Sequence, residues 1–558
     1  MPTKIVIVGG VAGGASAAAR ARRLSEDSEI VLIERGPYIS FANCGLPYHI
    51  GGTIPERDDL LVMTVGKMKA RFNLDIRTRQ EVTAIDRQNR TVTVRKVDTG
   101  DTYTESYDKL ILSPGAEPIR PPIPGAEGEH VHTLRTIPDM DGIVADIQSR
   151  KASRAVIVGG GYIGLEVAEN LHERGLEVTL VEMLNQVMAP LDPEMAETVH
   201  EVMRRHGVEL LLNDQVTRID DSDGALTVST RGGKKIEADI CIMGVGVRPE
   251  SRLAREAGLE LGARDTIKVN PQMQTSDPDV YAVGDAVEVV DFVTGLPTFV
   301  PLAGPANRQG RTAADHIFGR DAGYHGTQGT AICKIFDWSV AVTGANEKTL
   351  RTAGTPYLKN YTHNHQHAGY YPGAQFVTIK LLFAPDTGKV LGAQVVGPDG
   401  VDKRIDVLAT AIRFGSTVYD LEHLELAYAP PYGAAKDPVN MAGFAAVNIL
   451  RGDVKVTYPE TVRANDHEAT LVDVRTPGEF EQGHVPGAVN IPVDEIRARL
   501  DDVPRDKPVH VCCGTGLRSY VATRILNQHG IQAANVAGGY KSWCQGQAAG
   551  CQYEAKQR

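Results

Sequence analysis

Two cysteines are candidates for thiol chemistry. Cys44 lies within Ser-Phe-Ala-Asn-Cys-Gly-Leu-Pro-Tyr (40–48), and Cys513 begins Cys-Gly-Thr-Gly-Leu-Arg-Ser (513–519), which follows a short apolar strand. A cysteine thiolate can attack a disulfide or persulfide sulfur. A strand-to-helix loop of small residues presents backbone N–H groups that stabilise such an anion. The loop at Cys513 can therefore hold a thiolate or persulfide, and Cys44 is either a reactive thiol or a buried structural one.

Gly159, Gly161 and Gly164 form a complete dinucleotide-binding loop between a strand and a helix. The first glycine makes the turn, the second admits the pyrophosphate and the third lets helix and strand pack closely. Glu182 lies 18 residues beyond Gly164, where it can accept hydrogen bonds from a ribose and repel a 2′-phosphate. The loop therefore predicts NADH as the cofactor, with NADPH less favoured.

A similar loop near the N-terminus contains Gly9, Gly10 and Gly14, and Val11 replaces its middle glycine. Glu34 lies 20 residues beyond Gly14, as a ribose ligand would. Because a flavin is the usual partner of a nicotinamide, two such units on one chain predict FAD at this loop. A duplicated NAD-binding unit without flavin is the alternative. We expect further FAD contacts from Arg35, Asn43, Pro114, Gly115 and Asp285.

The elements around these loops predict an α/β protein of several domains. A chain of 558 residues is too long for one hydrophobic core. The two strand–loop–helix–strand units indicate parallel sheets in two nested Rossmann-like domains. The expected parts are an FAD-binding domain (1–118 and 246–325), an NAD-binding domain (119–245), an α+β domain (326–450), a polar linker (451–460) and a C-terminal α/β domain (461–558).

Composition excludes several classes of partner. The formal net charge of −11 gives no general attraction to nucleic acid or to anionic lipid. No run of about 18 apolar residues is present, so we expect no membrane span. A strand at Lys4–Val8 begins almost at the first methionine, so we expect no secretory signal.

The cysteines and histidines show no metal-ligand pattern. The seven cysteines stand at positions 44, 241, 333, 512, 513, 544 and 551, without the paired spacing of a zinc site or a disulfide framework. We therefore expect a reducing, cytoplasmic location and no metal. His363, His365 and His367 alternate along the chain, and we interpret them as a polar strand edge bordering the site.

Residues 1 to about 450 resemble the coenzyme A-disulfide reductases of the pyridine nucleotide-disulfide oxidoreductase superfamily. The resemblance rests on the Cys44 segment and on three others, namely 301–307, 370–373 and 428–432. Where two-cysteine relatives carry a second cysteine, this chain has His49, so the resemblance implies that Cys44 works alone against the flavin. We expect local dipoles or the flavin to lower the pKa of Cys44. NADH peroxidases carry a histidine where Ala12 stands, which argues against peroxide chemistry.

The same resemblance implies a substrate and a partner. It places coenzyme A near Arg20, Arg23, Ser40, Asn43, Lys67 and Arg71. Arginine forks and a lysine suit its phosphates, and Arg20 and Arg23 are three apart on one helix, hence on one face. It also brings Tyr370 and Tyr428 from the partner subunit of a homodimer toward the substrate sulfur, where a phenol can protonate a leaving thiolate. Tyr371 and Tyr432 are expected to be packing residues.

The last hundred residues resemble the rhodanese domain, through 471–475, 483–487 and the loop that begins at Cys513. Related phosphatases place five residues between cysteine and arginine, whereas four separate Cys513 from Arg518 here, as in sulfur transferases. The resemblance implies catalytic roles for Cys513 and Arg518, and we expect Cys512 to point away from the loop. A non-catalytic binding module is the alternative.

Together these features predict an FAD-dependent NADH oxidoreductase. We expect it to reduce sulfane sulfur, held as coenzyme A persulfide or polysulfide, through Cys44 with release of sulfide, and Cys513 to deliver the sulfur. Coenzyme A-disulfide reduction with an auxiliary rhodanese domain is the first alternative. An NADH oxidase or peroxidase and a redox-sensing, sulfur-binding protein are the others. The physiological donor and acceptor stay open.

Overall fold

The computed structural model describes residues 2–222, 225–464 and 468–548, so Cys551 lies outside the described residues. The chain divides into two compact units. The first comprises Met1–Met183 and Val208–Gly329, and the second comprises Leu184–Gly207 and Thr330–Arg558.

The α-helices of the described residues are, in chain order, α1 (Ala12–Leu24), α2 (Leu46–Gly51), α3 (Val65–Phe72), α4 (Ile137–Arg150), α5 (Tyr162–Glu173), α6 (Pro193–Arg205), α7 (Arg252–Glu256), α8 (Ala303–Ile317), α9 (Glu347–Ala353), α10 (Val401–Arg413), α11 (Val418–Glu422), α12 (Pro438–Leu450), α13 (Pro477–Glu481), α14 (Leu517–Gln528) and α15 (Gly539–Ala548).

The β-strands of the same residues are β1 (Lys4–Val8), β2 (Glu29–Glu34), β3 (Asp75–Thr78), β4 (Gln80–Asp86), β5 (Thr91–Lys96), β6 (Thr102–Ser106), β7 (Lys109–Leu112), β8 (Ala116–Pro118), β9 (Val131–His132), β10 (Arg154–Val158), β11 (Glu177–Val181), β12 (Glu209–Leu211), β13 (Val216–Ser222), β14 (Ala225–Thr230), β15 (Lys235–Ala238), β16 (Ile240–Met243), β17 (Val247–Pro249), β18 (Val280–Ala282), β19 (Val289–Val290), β20 (Pro297–Thr298), β21 (Ala331–Ile335), β22 (Trp338–Gly344), β23 (Leu358–His365), β24 (Phe376–Phe383), β25 (Val390–Gly397), β26 (Val456–Thr457), β27 (Thr470–Asp473), β28 (Val489–Asn490), β29 (Val509–Cys512) and β30 (Ala533–Val536).

The first unit contains two parallel sheets. One has the strand order β18-β7-β1-β2-β3 and the other has the order β12-β11-β10-β16-β9. The central strands β1 and β10 are buried along almost their whole length, as strands covered on both faces must be. The chain leaves the first sheet after β7, builds the second, and returns to the first with β18. This path confirms the nested α/β architecture.

The second unit contains one antiparallel and one parallel sheet. The antiparallel sheet has the order β21-β22-β25-β24-β23 and forms the predicted α+β part. The parallel sheet has the order β26-β30-β29-β27-β28 and forms the C-terminal α/β part. No helix among the described residues combines the length and the apolar character needed to cross a membrane.

The three histidines predicted at a polar strand edge lie in different surroundings. β23 is the edge strand of its sheet, but His363 is buried, and its ring nitrogens contact Thr378 Oγ1 at 2.8 Å and Ser542 Oγ, on α15, at 2.9 Å. Burial lowers the pKa of His363 to about 3, so its ring is neutral. His365 instead stacks on Phe376. His363 therefore joins this sheet to the C-terminal part of the same unit, which the edge interpretation did not anticipate.

A buried ion cluster connects five segments of the second unit. The fully buried Lys380 ammonium lies 2.7 Å from Asp192 Oδ2 and also contacts the carboxylates of Glu194 and Glu347. Lys359 Nζ extends the cluster, at 2.8 Å from Glu347 and 2.7 Å from Glu460. Asp192, Glu194 and Glu347 lie close enough together to hold a metal ion, but the ammonium of Lys380 occupies the space between them. The arrangement is therefore an ion-pair network.

Lys380→Met should destabilise the second unit strongly. Removing one partner of a buried ion pair leaves uncompensated buried charge and costs roughly 3–5 kcal/mol, and here three carboxylates lose the same cation. Thermal unfolding followed by circular dichroism should show a clearly lower midpoint. Lys389→Met, at an exposed lysine beside the neighbouring strand, is the control and should leave the midpoint unchanged. An unchanged midpoint for Lys380→Met would contradict the role of the cluster.

Candidate active sites

Cys44 lies in a short 3-10 turn, Asn43–Gly45, that leads directly into α2. Its side chain is exposed in the single chain. Asn43 Nδ2 donates a hydrogen bond to the Arg135 carbonyl oxygen at 3.2 Å, which ties the turn to the segment before α4. The thiol is therefore accessible to a reactant while its backbone is held in place.

The polypeptide raises the pKa of the Cys44 thiol. Partial burial is the largest cause, and the negative charges of Glu166 and Asp285 add to it. A thiol among carboxylates is harder to ionise because its thiolate is repelled and poorly solvated. The expected lowering of its pKa by local dipoles is therefore wrong for the chain by itself, and a bound cofactor is the remaining source of such a lowering.

The sequence did not indicate two residues that lie near Cys44, namely Glu166 and Arg135. Glu166 lies on α5, where burial raises its pKa to about 7 even though it accepts a hydrogen bond from Tyr48. The signal that could have indicated Glu166 was an acidic residue among apolar residues just after the second glycine loop. Arg135 gave no signal; burial lowers the pKa of its guanidinium, which faces the carboxylate of Asp285.

The first glycine loop is fixed by close backbone approach. Gly9 has φ +97°, and a Cβ there would lie 2.1 Å from the Ser113 carbonyl oxygen. Glu34, at the end of β2, accepts hydrogen bonds from the Gly10 N–H at 2.8 Å and the Gly36 N–H at 2.7 Å. The predicted ribose ligand thus lies directly beside the loop. This geometry fits a dinucleotide whose phosphates face the start of α1.

The second glycine loop repeats the arrangement. Gly159 has φ +103°, and its Cβ would lie 2.5 Å from the Gly244 carbonyl oxygen. A Cβ at Gly161 would have no atom within 4 Å, so this loop faces open space of the kind a pyrophosphate requires. Glu182 accepts a hydrogen bond from the Gly160 N–H at 2.7 Å. The residues at this loop fit NADH.

The remaining expected FAD contacts divide into two groups. Pro114 and Gly115 follow β7, and the Arg135 guanidinium lies against Gly115. Asp285 follows β18, and burial raises the pKa of its carboxyl while Arg135 opposes that rise. Arg35 instead pairs with Glu250 at 2.7 Å at a half-exposed position. The structure thus brings Asp285, Gly115 and the missed Arg135 together, and leaves Arg35 in a separate ion pair.

The predicted coenzyme A cations differ in their contacts. Arg20 is held by Asp315 on α8 through two nitrogens, at 2.5 and 2.8 Å. Arg23 is exposed and lies 6.0 Å above the Phe72 ring of α3. These arginines lie three residues apart on α1, as expected for one helix face, but their side chains contact different helices. The other predicted contacts are half-buried Ser40, with φ +46°, exposed Asn43, and exposed Lys67 and Arg71 on α3.

The two predicted tyrosines meet in the second unit. The Tyr370 and Tyr428 hydroxyls are 3.1 Å apart, and both side chains are exposed. The hydrogen bond between the two hydroxyls raises the pKa of Tyr370. Tyr371 packs edge-on against His367 as expected. Tyr432 is 73% exposed, so its expected packing role is wrong within the single chain.

Cys513 lies in the loop between β29 and α14 and is almost fully buried. Its sulfur accepts hydrogen bonds from the Gly516 N–H at 3.1 Å and from Ser519 Oγ at 3.3 Å. Tyr540 and Lys541 close the loop from behind through backbone hydrogen bonds to the Cys513 and Gly514 carbonyl oxygens. These neutral donors form an anion-binding nest around the sulfur.

Arg518, the expected catalytic cation of this loop, is held by a residue that the sequence did not single out. Its Nη1 and Nη2 donate to Glu479 at 2.7 and 2.6 Å. Cys512 packs with a different apolar group, which includes Leu471 and Val536, so its side chain does point away from the reactive loop.

Three family models match the chain. "Pyridine nucleotide-disulphide oxidoreductase" matches residues 3–310. The dimerisation domain of the same family matches residues 330–437. A rhodanese-like domain matches residues 459–546.

Known proteins resemble the chain over most or all of its length. A coenzyme A disulfide reductase from Staphylococcus haemolyticus is 38% identical over 444 residues, which cover 79% of this chain and 99% of the relative. The solved structure of reduced CoADR-RHD from Bacillus anthracis is 54% identical, with a TM-score of 0.96 and coverage of 98% of both chains. A NAD-dependent persulfide reductase from A. fulgidus is 38% identical, with a TM-score of 0.91, and the match covers 97% of this chain and 100% of that one.

Glu166→Gln should make Cys44 ionise at lower pH. As the pH rises through about 7, Glu166 loses its proton, and its charge then opposes formation of the Cys44 thiolate. The amide keeps the shape and removes that charge. We therefore expect faster alkylation of Cys44 by iodoacetamide at pH 8, mapped by mass spectrometry across a pH series. Glu173→Gln, exposed on the same helix, should match the parent. Unchanged pH dependence in Glu166→Gln would exclude the coupling.

Proposed function

Because the chain belongs to the pyridine nucleotide-disulphide oxidoreductase family, we propose that it is an FAD-dependent NADH oxidoreductase that reduces sulfane sulfur. Its substrate is a coenzyme A persulfide or polysulfide, and its product is sulfide. One observation carries the proposal: the accessible Cys44 beside the dinucleotide loops shares a chain with Cys513, whose sulfur lies in an anion-binding nest. A carrier of sulfane sulfur on the same chain raises the effective concentration of that sulfur at the reductase.

The chain's own residues would hold both cofactors. In this proposal Gly9, Glu34 and Asp285 would hold FAD in the domain formed by 1–118 and 246–325, and Glu182 would hold NADH in the domain formed by 119–245. FAD bound there supplies two-electron transfer from NADH to the sulfur of Cys44. Arg135 faces Asp285 and offsets its negative charge where the flavin would lie.

The reaction balances as NADH + H⁺ + R–S–SH → NAD⁺ + R–SH + H₂S. The Cys44 thiolate attacks the persulfide. Attack on the inner sulfur gives a Cys44–coenzyme A mixed disulfide and releases sulfide, whereas attack on the outer sulfur gives a Cys44 persulfide and releases the thiol. Both routes consume two electrons per sulfane sulfur. In either route the leaving sulfur needs a proton or a hydrogen-bond donor.

The subunit arrangement follows from the tyrosine pair. We propose a homodimer in which the partner subunit's Tyr370 and Tyr428 approach the substrate sulfur and donate to the leaving thiolate. The match of residues 330–437 to the dimerisation domain supports it, as does the exposure of both phenols in a single chain. Lys67 and Arg71, both exposed on α3, remain our candidates for the coenzyme A phosphates, together with Arg20, Arg23, Ser40 and Asn43. Reactive thiols favour a reducing compartment such as the cytoplasm.

Coenzyme A-disulfide reduction with an auxiliary rhodanese domain is the second candidate. It is favoured by the similarity to a named coenzyme A disulfide reductase that spans only 79% of this chain. Deleting residues 460–558 would also remove Ser542, which contacts buried His363, and Glu460, which contacts Lys359. Cys513→Ser in the full chain is therefore the cleaner test. It should slow sulfide release from polysulfide and spare reduction of coenzyme A disulfide if the first proposal holds.

Cys44→Ser should abolish NADH-driven sulfide release. A hydroxyl cannot form the sulfur–sulfur bond that the reaction requires, so we expect a loss of at least about a thousandfold in kcat with coenzyme A persulfide. Sulfide release and NADH oxidation should be measured together. Sulfur transfer from a persulfide to cyanide, which needs only Cys513, serves as the control for folding. Retained sulfide release in Cys44→Ser would refute the proposed function.

Glu182→Gln should relax the preference for NADH. The amide oxygen can still accept from the Gly160 N–H, while the charge that repels a 2′-phosphate is gone. The ratio of kcat/KM for NADPH to that for NADH should rise about tenfold, which corresponds to ~1.4 kcal/mol. Glu177→Gln, exposed at the far end of β11, should leave the ratio unchanged. An unchanged ratio of NADPH to NADH activity in Glu182→Gln would contradict the proposed role of the Glu182 charge.

A further inference from the structure

Glu479 pairs with Arg518, the cation of the rhodanese loop, and this pairing changes what the loop can bind. The Arg518 guanidinium makes two hydrogen bonds to it, one to each carboxylate oxygen, at 2.7 and 2.6 Å. Such fork-to-fork pairing is the geometry that an arginine would otherwise offer to an oxyanion. Both side chains are accessible at about the same level, 38% and 39%, so the pair lies at the mouth of the loop.

The Glu479 carboxylate is itself fixed in place. It is the third residue of the capping box of α13, where its Oε2 accepts from the Thr476 N–H and from Thr476 Oγ1, both at 3.0 Å. These bonds and the Arg518 charge lower the pKa of Glu479 to about 2. The group is therefore ionised throughout the physiological pH range, and it does not release Arg518 by protonation.

Two other cations beside the loop are also engaged. Arg475 is buried and paired with Asp473 at 2.6 Å. Lys541 donates its backbone N–H to the Gly514 carbonyl oxygen, but its ammonium lies over the Phe376 ring, and burial lowers its pKa. The donors that reach the Cys513 sulfur are the neutral Gly516 N–H and Ser519 hydroxyl.

We propose that Glu479 is a specificity residue which selects persulfides or polysulfides over thiosulfate as sulfur donors to Cys513. This inference rests on the proposed function, since it assigns the class of donor that loads the carrier cysteine. Thiosulfate carries a sulfonate group that needs free arginine donors, and it must depart as a sulfite dianion. The ionised Glu479 accepts two of those donors and repels both anions. A persulfide presents only sulfur to the nest, which its neutral donors accommodate.

The transfer step balances without an external oxidant or reductant. The Cys513 thiolate attacks the outer sulfur: Cys513–S⁻ + R–S–SH → Cys513–S–SH + R–S⁻. One sulfur–sulfur bond forms at Cys513 and one breaks in the donor. The electron pair of the broken bond leaves with R–S⁻, which is a monoanion. The outer sulfur moves together with its proton, and the single negative charge passes from Cys513 to R–S⁻, so the total charge is the same before and after transfer.

Glu479→Gln separates the charge of this residue from its structural role. Glutamine is accepted at the same position of a capping box, so α13 keeps its cap, whereas Arg518 loses its ion-pair partner. The full-length, flavin-loaded protein should be assayed without NADH for thiocyanate formation from cyanide, with thiosulfate or glutathione persulfide as the donor. Glu481→Gln, exposed two residues further along the chain, is the matched control.

The parent protein should prefer the persulfide. In Glu479→Gln, the ratio of kcat/KM for thiosulfate to that for the persulfide should rise about tenfold to a hundredfold, as expected when a set of charge-assisted hydrogen bonds becomes available to a ligand. Glu481→Gln should keep the parental ratio. Because a purely structural residue would lower both activities together, an unchanged or lower ratio in Glu479→Gln overturns the proposal.

A measurement on the parent protein tests the proposed donor specificity independently. Mass spectrometry of Cys513 after exposure to each donor should show the added sulfur readily from glutathione persulfide and slowly from thiosulfate. Equal loading from both donors overturns the proposal whatever the variant does. Neither assay involves NADH or Cys44, so loss of NADH-driven sulfide release would count against the proposed function and leave this inference standing.

Discussion

At each of the two glycine loops, the backbone approaches the backbone of a neighbouring strand end very closely. These contacts determine where the rest of the first unit lies. Gly9 meets the Ser113 carbonyl oxygen and Gly159 meets that of Gly244, each at a distance that excludes any Cβ. Each contact joins the end of one parallel strand to the end of its neighbour, so the loop N–H groups and the acid predicted to bind the ribose converge on one edge of the sheet. Because parallel strands end at the same edge, residues far apart in the chain meet there.

The two reactive thiols lie in opposite electrostatic surroundings. Cys44 is accessible and faces the carboxylates of Glu166 and Asp285, which hold its pKa above the ordinary value. Cys513 is buried and receives hydrogen bonds from the Gly516 N–H and the Ser519 hydroxyl. The polypeptide therefore directs hydrogen-bond donors at the Cys513 sulfur, whereas its carboxylates oppose ionisation of the Cys44 thiol. This difference suits a carrier cysteine that must hold sulfur and a reductase cysteine that must release it.

The second unit is held together by polar groups as well as by an apolar core. Lys380 and Lys359 link α6, α9 and the segment at Glu460 to the antiparallel sheet. His363, kept neutral by burial, contacts Ser542 of the C-terminal part. Such groups are costly to bury unless each is paired, so they favour one arrangement of these segments over others. The C-terminal part is therefore packed against the sheet of its own unit.

The sequence by itself determined what depends on local pattern. The glycine spacings, Glu34 and Glu182 at strand ends, and the loops at Cys44 and Cys513 indicated the nested α/β fold, the cofactors and both thiols, because turn geometry and strand-to-helix transitions are encoded within a few residues. Only the tertiary structure decided which charges meet. It paired Arg20 with Asp315 and Arg518 with Glu479, and it placed Glu166 and Arg135 near the site of Cys44 and Asp285. The spacing of residues along the chain does not indicate such partners, because these electrostatic contacts form between elements that only folding brings within a few ångströms.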